Sequence, residues 1–241
     1  MEWVGDARLA AGPEATWYLE AAFTPGAHLG TVYDDPTTPV VVTGVEEVTS
    51  IRIPSGRLVV DAPWDDDEFW EYERGLPGRP PRELAVRIPP GVYRVEIAWT
   101  AGPYEFMGEH LDGVVCAATR LCISDDPVVG WEMGLSVEDD IARLQPRHIG
   151  RFFSDANVGC FADAGAWTTL SAPFRTFADG VPAPRDSEQL AGGCERVCDE
   201  SQQADLVTFM AESGGVVWLG RTKTGEVAAI VVTSGLHDAK A

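Results

Sequence analysis

The feature that most constrains this chain is the alternation over residues 93–99, where Tyr93, Val95, Ile97 and Trp99 are separated by Arg94, Glu96 and Ala98. Successive side chains of a strand point to opposite faces, so this spacing predicts a half-buried β-strand with the four large apolar residues on its inner face. Pro89-Pro90-Gly91 sets its start. Related texture recurs along the chain. Residues 39–64 read as two or three Val- and Ile-rich strands around the turn Pro54-Ser55-Gly56, and VVCAATRLCIS and VVGWEMGLS each read as another strand. DLVTFMA, VVWLGR and EVAAIVVTS close the chain as an expected three-stranded meander, with Gly214-Gly215 and Lys223-Thr224-Gly225 as its turns. Residues 227–232 are apolar on both faces, which predicts a central strand.

Helical signals are fewer. A short helix is expected around residues 14–22, a turn or two over 138–144 entered through Ser136, and a short helix over 162–170. Residues 187–204 give the clearest helical pattern, with Leu190, Cys194, Val197, Ser201 and Ala204 on one narrow face, although Gly192-Gly193 weakens its first turn. These elements predict an α+β fold: a β-rich antiparallel sandwich or distorted barrel with two or three helices packed at one side. The simplest division is one globular domain, with 1–38 a peripheral segment, 39–135 β-rich, 136–204 a helical insert and 205–235 the meander.

The formal charge of −20, from 38 acidic and 18 basic residues, sets up a strongly negative field. Nucleic-acid binding is disfavoured, because it relies on Lys and Arg neutralising phosphates. No apolar run is long enough to cross a bilayer, and the N-terminal residues lack the basic and apolar regions of a secretory leader, so a soluble cytoplasmic protein is expected. Five cysteines, Cys116, Cys122, Cys160, Cys194 and Cys198, are then expected to be reduced. Cys194 and Cys198 would share a helix face, but no second close Cys or His pair completes a zinc site.

Two stretches carry candidate function. In residues 61–73 the carboxylates of Asp61, Asp65, Asp66, Asp67, Glu68, Glu71 and Glu73 are interleaved with Trp64, Phe69, Trp70 and Tyr72. Rings supply area to bury and charges select the partner, so Trp64, Asp65, Asp66, Asp67 and Trp70 are candidates for holding a basic protein. The other stretch is RFFSDANVGCFADA, residues 151–164. Asp155, Asn157 and Asp163 space oxygens as a cation loop does, but Gly159, Cys160 and Ala166 stand where an EF-hand needs an oxygen ligand, its turn glycine and its bidentate Glu. An irregular magnesium or calcium site on Asp155 and Asp163 stays open, with Asp61 and Glu132 as recruits. Cys160, placed just before the expected helix, is a candidate nucleophile with His148 as the nearby base. Asp155 and Asp163 equally suit the capping of turns and helices through backbone amides.

The order of these motifs, SGRLVVDAP, IPPGVYRVEIAW, VVCAATRLCISDDPVVGWEM, FFSDANVGCFAD and VVWLGRTKTGEVAAIVV, resembles a bacterial family of domains of unknown function, number 4241, over about residues 40–235. The resemblance is carried by the P-G-x-Y strand, by Trp131-Glu132 and by G-C-F-x-D at residues 159–163. It implies a bacterial protein and strengthens Asp155, Gly159, Cys160 and Asp163. Two departures stand out: the family's V-D-x-G becomes Ser154-Asp155-Ala156-Asn157, and its G-D-G-x-Y turn becomes Glu212-Ser213-Gly214-Gly215.

Two functional expectations follow. One is a non-catalytic binding or regulatory protein whose acidic surface engages a basic partner. The other is a metal-assisted hydrolase using a divalent cation, with Asp155 and Asp163 as ligands or acid/base groups and Cys160 or Glu132 nearby.

Overall fold

The computed structural model describes residues 5–32, 35–63, 80–101, 104–106, 109–111, 113–144, 150–154, 157–175, 177–178, 181–182, 186–211 and 214–234. Its sheets are antiparallel, and two α-helices are present among the described residues, Pro13–Ala21 and Trp167–Ser171. The chain divides into two compact units. Unit 1 comprises residues 1–48, 94–133 and 216–241, and unit 2 comprises 49–93 and 134–215.

One sheet has the strand order His28–Val32, Asp35–Ile53, Gly91–Ala101, Val114–Cys122, Val227–Ser234, Gly215–Arg221, Gly130–Met133. The order is open, ending at His28–Val32 and Gly130–Met133, so this is not the distorted barrel that the sequence left possible. As the two-sided apolar pattern predicts, Val227–Ser234 is interior to the sheet. In unit 1 the helix Pro13–Ala21 lays Tyr18, Leu19 and the following Ala22 onto Val40, Val42, Ala98, Ala117, Ala118 and Val231. The Tyr18 hydroxyl donates to the Ala117 carbonyl at 3.1 Å, so the ring is buried with its polar end satisfied.

The strand Gly91–Ala101 follows the expected alternation only to Ile97. Tyr93, Val95 and Ile97 are buried, with Val92 and Arg94 outward. A register shift against Val114–Cys122 then falls between Ala98 and Trp99. The bulge reverses the phase, so Ala98 and Thr100 are buried while Trp99 turns its indole N–H to Glu46 Oε2 at 3.2 Å. Trp99 therefore leaves the inner face on which simple alternation puts it.

Unit 2 is built on a sheet of order Glu188–Gln189, Glu195–Asp199, Ala204–Met210, Val158–Asp163, Leu58–Asp61. Cys160, Ala162, Val197 and Leu206 pack with Trp167, Leu170 and Phe174 from the second helix and the 3-10 turn after it. Two sequence-based expectations fail in this unit. Residues 187–204 are not a helix: Gly192 and Gly193 take φ of 67° and 73°, which break any helix there, and Glu195–Asp199 is a strand with Val197 and Asp199 inward. Cys194 is buried and Cys198 exposed, so they form no common helical stripe. The closing meander is also incomplete. Gly215–Arg221 and Val227–Ser234 are neighbours in one sheet, but Ala204–Met210 pairs with Val158–Asp163 and Glu195–Asp199 in the other.

Candidate functional site

The strand Val158–Asp163 lies between Ala204–Met210 and Leu58–Asp61. Its entry is held by Ser154. The Ser154 hydroxyl donates to the Val158 carbonyl at 2.8 Å and accepts the Val158 N–H at 3.0 Å, closing the chain across residues 154–158. Asn157 within it has φ 56°, the left-handed conformation that glycine adopts freely and Asn tolerates better than most residues. The Asn157 carbonyl accepts the Ala211 N–H at 2.9 Å, which ties this entry to the end of the neighbouring strand.

Gly159 is required for space. A Cβ there would stand 2.5 Å from Phe209 Cε2 and 2.7 Å from Phe152 Cζ, so both rings fill the place of a side chain. At Gly214, φ 103° combines with a Cβ position only 2.0 Å from the Phe152 carbonyl oxygen, and both conditions demand glycine.

Cys160 is not at a helix N-terminus, because the strand continues to Asp163 before the 3-10 turn Ala164–Ala166. It is fully buried, with Asp61 as its cross-strand partner. Burial, reinforced by the Asp61 charge, pushes its thiol well above the usual range, which keeps it protonated and poorly nucleophilic. His148, its suggested base, lies outside the described residues.

Asp163 is buried and surrounded by backbone donors. Its Oδ1 accepts the N–H groups of Gly165 at 2.7 Å and Ala166 at 3.3 Å, and its Oδ2 accepts that of Ser55 at 2.8 Å. The first two bonds cap the 3-10 turn that leads into the second helix, and the third fixes the turn preceding Leu58–Asp61. Asp61 follows the same chemistry, accepting the N–H of Ala62 at 2.9 Å and of Arg82 at 2.7 Å. The strand pairing therefore does bring Asp61 to the Val158–Asp163 strand. Glu132 belongs to unit 1, where its Oε1 accepts from Arg221 Nε at 2.8 Å and from Nη2. Asp155, and the proposed partner-binding residues Trp64, Asp65, Asp66, Asp67 and Trp70, lie outside the described residues. Among the described residues, no group of three or more His, Cys, Asp or Glu side chains could hold a metal ion.

An ion network centred on Asp205 of the same sheet escaped the sequence reading. Asp205 is fully buried and binds Arg52 through the backbone N–H at 2.8 Å and through Nη2 at 2.6 Å, and Arg196 Nη2 at 3.0 Å. Burial alone would raise the Asp205 carboxyl, but the bonds from Arg52, together with the Cys198 thiol and the charge of Arg196, outweigh it and hold the group below the usual carboxylate range. The available signal was one acid opening an otherwise apolar strand, DLVTFM. Nothing in the local pattern identifies its arginines, which are distant in sequence.

The model of the family described as "Protein of unknown function (DUF4241)" matches residues 51–232, and the chain belongs to that family. No curated protein and no solved structure matches it. Among the described residues, no helix is long and apolar enough to cross a membrane.

Proposed function

We propose that this member of the DUF4241 family is a non-catalytic binding or regulatory protein that holds a basic protein partner on its acidic surface, acting in the cytoplasm. The observation that carries this reading is how the cations are used. Arg52, Arg57, Arg87, Arg120, Arg196 and Arg221 are all paired with carboxylates of the same chain. Glu14, Glu20, Glu47, Glu138 and Asp186 are exposed with no cationic partner among the described residues. A net charge of −20 is thus presented outward rather than neutralised within the fold. The residues 61–73, with Trp64, Asp65, Asp66, Asp67 and Trp70, extend the same chemistry in sequence. Five free thiols agree with a reducing compartment.

The test is retention of partners from a native lysate on the immobilised chain. A basic protein should be held at low salt, released by about 0.5 M salt as charges are screened, and held less well by a D65N/D66N/D67N variant. Retention that ignores both salt and these substitutions would overturn the reading.

One observation favours a second reading, a metal-assisted hydrolase using magnesium or calcium on Asp155 and Asp163: Asp61 adds a buried carboxylate beside that strand. Its support is weaker, because both Asp163 oxygens already accept backbone N–H groups. It predicts a rise in Tm with magnesium, manganese or calcium that Asp155→Ala abolishes. Without that rise the hydrolase reading fails.

A further inference from the structure

The helix Pro13–Ala21 is buried through Ala15, Tyr18 and Leu19, so its opposite side faces solvent. Trp17 sits on that outward side and is 50% exposed. Glu14 and Glu20 lie three residues before and after it, and residues three apart are neighbours on a helix surface. The result is an indole between two exposed carboxylates, on a helix with no Lys or Arg of its own. Half of the Trp17 surface is left exposed, and Glu20 stands in the last turn, where the helix dipole disfavours an anion, whereas Glu14 in the first turn suits it.

We infer that Glu14, Trp17 and Glu20 form a docking surface for an arginine side chain of a partner protein. A guanidinium is planar, can stack on the indole face and can reach a carboxylate with its outer N–H groups, whereas an ammonium offers only a point charge. Charge complementarity selects the occupant: two carboxylates with no cationic partner among the described residues lie one turn before and after the ring. This inference rests on the acidic-surface reading and gives it a defined location, outside residues 51–232 matched by the family.

The experiment uses the full chain and an acetylated hexa-arginine peptide, with hexalysine as control, followed through the indole N–H resonances of the eight tryptophans. A Trp17→Phe variant assigns the Trp17 signal. Hexa-arginine should move that signal saturably and more than hexalysine does. Trp17→Ala and the E14Q/E20Q pair should each weaken binding about threefold, the scale of exposed cation–π contacts and ion pairs. Circular dichroism of the variants should be unchanged, because these side chains are outside the core. Salt-sensitive peptide binding with an unmoved Trp17 signal and equal affinity in the variants would overturn this surface while leaving the acidic-surface reading intact. Absence of any salt-sensitive binding would overturn both. A Trp17 signal that moves with protein concentration alone would mean a second copy of the chain covers the helix, and would also overturn the inference.

Discussion

Asp163 and Asp205 are both buried on adjacent strands of one sheet, yet they are satisfied in opposite ways. Asp163 takes neutral backbone N–H groups from Ser55, Gly165 and Ala166, all supplied by turns. Asp205 takes the charged side chains of Arg52 and Arg196, which reach it from other strands. A carboxylate among amides shapes the chain around it. A carboxylate between arginines holds separate strands together but exposes its neighbours to an unpaired charge if it is lost. The two buried acids thus hold the chain in two different ways, and each makes its own predictions.

The largest effect should come from Asp205→Ala, which removes the buried carboxylate shared by Arg52 and Arg196 and leaves them, among the described residues, only the exposed carboxylates of Glu200 and Glu188. A loss of about 3–5 kcal/mol is expected from chemical denaturation, the range for breaking one side of a buried ion pair. A loss below 1 kcal/mol would show that water replaces the carboxylate without penalty. Acid should act through the same group. Its folded-state carboxyl is held below the ordinary value, so its stabilisation is complete above the unfolded value near ~3.9 and declines as pH falls through the lower, folded value. Asp205→Asn should flatten the fall in stability between neutral and acidic pH, and an unchanged slope would assign acid sensitivity to other groups.

Asp163→Ala should cost less, about 1–2 kcal/mol, because its partners are neutral amides near turns, and a cap loses about that much. The contrast with Asp205 would collapse if the two alanine variants were equally damaged. Asn157 should give one comparable effect and the smallest one. At φ 56° a β-branched residue is strained, so Asn157→Val should lose about 1–2 kcal/mol while Asn157→Gly should stay within about 0.5 kcal/mol of the parent. Equal effects of valine and glycine would remove the left-handed backbone from the explanation of this motif.

The sequence made legible what depends on neighbours along the chain. Alternation located the strand over Tyr93, Val95 and Ile97, the Lys223-Thr224-Gly225 turn located the final hairpin, and the capping chemistry of Asp163 was one of the readings open to it. A helix expected at 14–22 is found at Pro13–Ala21. What failed depends on distant partners. Leu190, Cys194, Val197, Ser201 and Ala204 satisfy a helical spacing, but pairing of residues 195–199 with Ala204–Met210 decides for the strand. The phase reversal at Trp99 was equally hidden, because a bulge is fixed by register against another strand. The partners of Asp205 lie nine and 153 residues away.

The interleaving of the two units has a consequence for how the chain is made. Leu58–Asp61 pairs with Val158–Asp163, which in turn pairs with Ala204–Met210, while unit 1 includes residues 1–48 and residues from 216 onward. The sheet of unit 2 cannot be completed during synthesis until Ala204–Met210 has left the ribosome, and the larger sheet not until Val227–Ser234 has. Until residues 158–163 emerge, Leu58–Asp61 waits without its partner strand, a slow topology in which contacts distant in sequence must form before burial rewards them. A chain stopped before residue 204 would carry most of the apolar sequence and neither finished sheet.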